Sequence, residues 1–289
     1  MNGSGETVAR IPHGRSAIGA PPRPWGRWGL RAAALGYLGL MIVVPLSAVL
    51  QRGLGDGLAA FLADVTSPVA LRALQLTIGA AVAMTVVNAV AGTLAAYVLV
   101  RFRFPGRTLL NAAIDLPFAI PTLVTGVMLV AMYGPQSTIG AWLEGRGMTV
   151  IYAVPGIVLA LLFVCYPFVV RTVQPVLEGA ERQQEEAAHT LGASGWTTFR
   201  RVVLPTIAPA ILTGSMLSFA RALGEFGSIV VVAGNIPGRT LTAPVYLYQQ
   251  VEAGNVRGAS AISVVLLALS FSLMLGVDWM QRRRSKGAR

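Results

Sequence analysis

Six stretches of this sequence, at 32–50, 74–100, 109–133, 154–170, 207–232 and 259–280, are long, apolar and almost free of charge. A helix needs roughly 20 such residues to cross the hydrocarbon of a bilayer. Their length excludes strands, and a buried helix satisfies its own backbone where no water reaches it. Composition agrees: 54% of the residues are hydrophobic and 12% charged, against about 25% charged in an ordinary soluble domain. The 289 residues leave room for about six spans and their loops. The expected fold class is therefore an all-α polytopic membrane protein.

The basic residues set the orientation. With the N-terminus inside, seventeen Lys and Arg fall on the cytoplasmic side, grouped near 10–31, 101–107, 171–201 and 282–289, whereas Arg52, Arg72, Arg146, Arg239 and Arg257 fall outside. That asymmetry predicts a multi-pass protein with both termini in the cytoplasm. Residues 1–31, rich in Gly, Pro and Arg, read as a disordered tail, and 32–50 as a retained first span because its apolar core is too long for a signal peptide. Arg23, Arg27 and Arg31 are either an orientation signal or a contact with anionic lipid. Residues 70–280 form one membrane domain and 281–289 a basic tail. The net charge of +11 is not read as a nucleic-acid signal, since the basic runs flank apolar stretches and carry no interleaved aromatics.

The connection at 171–206 reads as structured. Helix formers fill 179–191, including Glu181, Glu185 and Glu186, and Gly192 stands where a left-handed cap is needed. Ser194 is placed to cap a second short helix carrying Trp196, Phe199, Arg200 and Arg201. Leu204 and Pro205 are expected to stop that helix, Pro205 then starting the next. An ordered knob with two aromatic rings either docks a soluble subunit or packs on the protein's own membrane face.

Six spans and a knob also fit a channel or scaffold, or a membrane-embedded enzyme, but the enzymatic reading finds little support. The single lysine, Lys286, follows Ser285 in the tail, far from any Gly-rich phosphate cradle. His13 and His189 lie in the tail and the knob without a metal-binding pattern, and no metal site is expected. Cys165, alone in an apolar stretch, reads as a small buried hydrophobe.

The order Glu186-Ala187-Ala188, three residues, Gly192, nine residues, then Val202-Val203-Leu204-Pro205 resembles the EAA loop of bacterial ABC importer permeases, with Val202 in place of the usual Ile. Three further segments are similar to the T-type permease of sulfate/thiosulfate importers. They are Asp115-Leu116-Pro117-Phe118-Ala119-Ile120-Pro121-Thr122, Pro167-Phe168-Val169-Val170-Arg171-Thr172-Val173-Gln174-Pro175-Val176-Leu177-Glu178, and Arg221-Ala222-Leu223-Gly224-Glu225-Phe226-Gly227-Ser228. Gly234-Asn235-Ile236-Pro237-Gly238 also resembles molybdate permeases, so molybdate or tungstate is the alternative cargo.

The resemblance implies a type I ABC importer permease fold. It further implies that Glu186, Ala187, Ala188, Gly192, Trp196, Phe199, Leu204 and Pro205 couple the spans to separate ATPase subunits. ATP and Mg would sit on those subunits, and this chain would bind no cofactor. The other implied partners are a second, related permease and an extracytoplasmic anion-binding protein. An anion crossing the spans needs donors in place of its water. Arg221 and Glu225 share one helix face at i,i+4 spacing and either neutralise each other or meet the anion. Thr122, Thr125, Ser215 and Ser218 offer hydroxyls, and Pro117 and Pro121 allow the third span to bend.

Overall fold

The computed structural model describes the backbone of residues 24–180 and 182–287, with side chains for 28–180, 182–276 and 279. The expected disordered tail lies outside the described residues up to residue 23, but its last part is helical. Pro24–Leu38 forms α1, followed by one wide π turn at Gly39–Val43 and by α2 at Val44–Leu54. The chain divides into two units, Met1–Ser47 and Ala48–Arg289. In the first, apolar side chains such as Leu35, Leu40 and Ile42 are exposed, as befits a helix whose solvent is lipid.

The second unit is all helix among the described residues: α3 (Leu58–Val65), α4 (Pro68–Arg101), α5 (Arg107–Ala119), α6 (Thr122–Tyr133), α7 (Thr138–Glu144), α8 (Val154–Gly179), α9 (Arg182–Thr190), α10 (Gly195–Thr198), α11 (Leu204–Leu223), α12 (Gly227–Val232), α13 (Ala243–Glu252) and α14 (Val256–Gly287). Its centre is α4, α8 and α11. Met84, Ile157, Leu161, Phe219 and Leu223 are buried there together.

Small residues let these three helices approach, the device expected where lipid removes the hydrophobic drive for helix association. Val169 of α8 is held between two glycines. A Cβ added at Gly92 of α4 would lie 2.8 Å from Val169 Cβ, and one at Gly214 of α11 would lie 2.9 Å from Val169 Cα. Buried polar ties add to this packing. Asn88 of α4 donates to the Leu162 carbonyl of α8 (3.3 Å), and the Ala243 N–H of α13 donates to Thr77 Oγ1 of α4 (2.8 Å).

Five helical segments are long and apolar enough to cross a membrane: Trp28–Leu54, Pro68–Arg101, Val154–Gly179, Gly195–Leu223 and Val256–Gly276. The remaining expected span, the third in the sequence, is a bent pair. Arg107–Ala119 and Thr122–Tyr133 meet at 113°, and at 1.5 Å per residue neither half alone reaches across hydrocarbon about 30 Å thick. Pro121 stands at the corner with ψ 135, and Pro117 has already removed one donor from α5.

Two other boundaries differ from those read in the sequence. The segment expected to span 207–232 is interrupted between Leu223 and Gly227. The connection 171–206 is shorter than expected, because α8 runs on to Gly179. Val173 and Leu177 are fully buried, and that anchorage carries the helix beyond its apolar stretch.

Candidate functional site

The knob is built from α9, α10 and the turns that join them. Glu186 and Ala187 lie exposed on α9 and Ala188 is half-buried, while Glu181 lies outside the described residues. Gly192 has φ +82. Around it, the Ala193 N–H donates to the Ala188 carbonyl and the Gly192 N–H to the His189 carbonyl, both at 3.0 Å. These two bonds are the pair that closes a helix on a left-handed residue. Ser194 begins α10, its Oγ accepting the Thr197 N–H at 3.3 Å.

Leu204 and Pro205 do not end this second helix. A π turn at Phe199–Val203 carries α10 into α11 without a break, the Leu204 N–H donating to the Phe199 carbonyl. Pro205 therefore follows a widened turn. Widening a turn is one way a helix accommodates an insertion that a regular ladder cannot carry, and the proline needs such relief because it lacks a donor and crowds the turn before it.

The two aromatic rings occupy different places. Trp196 is 69% exposed and lies at 5.9 Å, nearly parallel, on Phe199. Phe199 is half-buried and meets Tyr97 of α4 edge-on at 5.3 Å. Phe199 is thus a foot that fixes the knob to the bundle, and Trp196 is left facing outward. Leu191, beside the glycine turn, is 88% exposed.

Polar contacts fasten the same corner. Arg101 at the end of α4 pairs with Glu185, both side chains largely buried, and Arg182 donates to the Val100 carbonyl at 3.4 Å. Sequence reasoning missed Leu191, Tyr97, Arg101 and Glu185. An apolar residue directly before the turn glycine was the available signal for Leu191; the three ties to α4 pair residues far apart in sequence and left none.

The second candidate region is the break after α11. Arg221 pairs with Glu225 at 2.8 Å, with 35% of the arginine side chain and 1% of the glutamate side chain exposed. The other carboxylate oxygen accepts the Ser228 N–H (2.9 Å) and hydroxyl (2.8 Å). Glu225 therefore satisfies one backbone donor at the start of α12 while pairing with Arg221. Thr122 and α6 back onto this break: a Cβ added at Gly126 would lie 2.8 Å from the Ser228 carbonyl oxygen.

The hydroxyl candidates do not form one site. Thr125 lines a cavity of about 600 Å³ with Asn88, Ala113, Pro117, Met128 and Tyr166. Ser218 lies in the core and donates to the Cys165 carbonyl at 3.2 Å. Ser215 Oγ is buried without a hydrogen-bond partner. Among the described residues no group of His, Cys, Asp or Glu is arranged to hold a metal ion.

The pattern of the binding-protein-dependent transport system inner membrane components matches residues 88–286. The chain belongs to this family. As a member it is a subunit of a transport system and not an enzyme, and it is a multi-pass membrane protein. A probable sulfate transport system permease protein of Nephroselmis olivacea is 45% identical over 88% of this chain and 90% of its own length. The sulfate transport system permease protein of Escherichia coli K12 is 40% identical over 86% of this chain and 89% of its own.

Solved structures show the fold of this family member to be that of type I ABC importer permeases. A chain of a bacterial alginate ABC transporter, crystallised with its oligosaccharide-bound periplasmic protein, superposes with a TM-score of 0.75 at 17% identity, covering 91% of this chain and 96% of that one. A chain of an inward-facing methionine ABC transporter gives 0.59 at 19% identity, covering 74% and 94%.

Proposed function

We propose that this chain is a transmembrane subunit of an ATP-driven sulfate importer, with thiosulfate as the related cargo. It works beside a second permease, two ATPase subunits that carry ATP and Mg, and an extracytoplasmic binding protein that delivers the anion. Both termini and the knob face the cytoplasm, and the apolar outer faces meet lipid. The observation that carries the reading is the knob itself: a glycine-closed turn that presents Leu191 and Trp196 to solvent while Phe199, Glu185 and Arg182 fasten it to α4. An exposed aromatic on a rigid base is what a docking partner buries.

Arg221 and Glu225 are proposed to border the anion pathway. Because Glu225 already pairs with Arg221, the arginine offers a passing anion only part of its charge, which favours transit over tight capture. Specificity rests mainly with the binding protein. The test is purification of this chain with its ATPase subunits, reconstitution in vesicles, and ATP hydrolysis measured with sulfate-loaded, thiosulfate-loaded, molybdate-loaded and empty binding protein. Stimulation by the sulfate-loaded form supports the reading. Stimulation by molybdate alone replaces the cargo, and absence of any associated ATPase overturns the proposal.

A further inference from the structure

Two of the segments that carry the family resemblance, 115–122 and 167–178, meet at one arginine outside the knob and outside the break. Arg171 of α8 donates through Nε to Asp115 Oδ1 (2.7 Å) and through Nη2 to Asp115 Oδ2 (2.6 Å). Its Nη1 donates to Asn111 Oδ1 (2.8 Å) and Gln174 Oε1 (2.7 Å), and Nη2 also donates to the Asn111 carbonyl (2.8 Å). A guanidinium has five N–H donors in a fixed plane, and all of them are engaged. Four of the five bonds go to one face of α5.

The side chains of Arg171 and Asp115 are 28% and 50% exposed. At that exposure an ion pair adds little to stability, so what five directed bonds supply is geometry: they lock one turn of α5 to one turn of α8. Each partner leads somewhere. Toward the knob, Gln174 donates in turn to Glu178 Oε1 at 2.9 Å, and α8 ends one residue later at Gly179, with α9 beginning at Arg182. In the other direction, α5 passes the donor-less Pro117 and reaches the 113° corner with α6. Ala113 and Pro117 on one side of that corner, and Thr125 and Met128 on the other, line the 600 Å³ cavity.

We propose that the Arg171–Asp115 fork is the contact through which movement of the knob reaches the bent span α5–α6. Arg171 is a positioning residue: it acts on the cavity by way of α5. A shift of α8 driven at its knob end drags the turn containing Asn111 and Asp115, and the corner at Pro117 and Pro121 absorbs the change, altering the cavity wall between α5 and α6. The inference rests on the reading of the chain as an importer subunit driven through its knob.

The test uses the reconstituted complex and compares wild type with Arg171→Gln, Asp115→Asn and the exchange Arg171→Asp with Asp115→Arg. Basal ATP hydrolysis, its stimulation by loaded binding protein, and anion uptake are measured on each. The expected result is assembly and basal hydrolysis near wild type in both single variants, with stimulation and uptake lower by at least about fivefold, the low end of usual inter-site coupling. The exchange recovers a substantial part of both. Stimulation at the wild-type level in both single variants overturns the inference. So does failure of both to assemble with no recovery in the exchange, which marks a structural contact only. A wild-type complex that shows no stimulation fails the importer reading itself, an outcome separable from these because it appears without any substitution.

Discussion

Replacing Gly192 by Val separates a backbone requirement from a packing one. At φ +82 an L residue costs about 1–2 kcal/mol, most for a β-branched side chain. Among the described residues, nothing beyond its chain neighbours lies within 4 Å of an added Cβ at Gly192, so no clash adds to this strain. The alternative for the variant is to open the turn and give up the bonds from Ala193 to Ala188 and from Gly192 to His189, at about 1 kcal/mol each. That strain, about 1–2 kcal/mol, lowers the ratio of the correctly aimed knob to its opened forms about 5- to 30-fold. The nine residues of α9 cannot offset this alone, since isolated helices this short are marginal. The assay is stimulated ATP hydrolysis and uptake in vesicles, with membrane insertion checked on the same preparations. Gly192→Val is expected to insert normally and lose coupling, Gly192→Ala to lose less, and Gly192→Asn, which tolerates the left-handed region, to stay nearest wild type. Asn as harmful as Val would refute the backbone argument and indicate that a partner packs directly against the glycine.

Trp196→Ala should weaken retention of the ATPase subunits by about 2 kcal/mol if the ring is a buried anchor in the complex, read as faster loss of those subunits on dilution, while insertion is unchanged because the ring is 69% exposed in this chain. Arg221→Ala leaves the buried Glu225 without its countercharge, a change that costs roughly 3–5 kcal/mol for a fully buried pair and less here because Ser228 still bonds the carboxylate. Uptake should fall, and its return in Arg221→Ala with Glu225→Ala would assign the pair to structure, whereas continued loss points to anion contact. A cysteine at Ser285 should react only with reagents reaching the cytoplasm and one at Gly145 only from outside; labelling in the reverse sense contradicts the proposed orientation.

Helix content was legible because a long apolar run in lipid admits only one economical backbone, and the turn at Gly192 was legible because its conformation is local. The knob's attachment was not. Phe199 and Trp196 look alike in sequence, yet Tyr97, a hundred residues earlier, takes one ring and leaves the other exposed. Leu204 and Pro205 read as a stop because a regular helix cannot absorb the proline, and a π turn removes that objection without any mark in the composition. Pro117 and Pro121 announced a bend but not its size. The Arg171 fork escaped notice for the same reason as Tyr97: its partners Asn111 and Asp115 are some sixty residues away.

The two interruptions in the apolar segments are related. Irregular backbone is tolerated at membrane depth only where protein or a cavity satisfies it, and here the two irregular places lean on each other. The helix after the first corner, α6, packs against the helix after the second break, α12, with Gly126 against the Ser228 carbonyl and Val231. Near the N-terminus of α12, Ser228 is held by Glu225, and Glu225 in turn holds Arg221. Bending α5–α6 through the fork would therefore press on the same turn that positions Arg221. Under the proposed coupling, the contacts from α8 through α5 and α6 end at Ser228, which would give a knob movement a path to the ion pair besides α11.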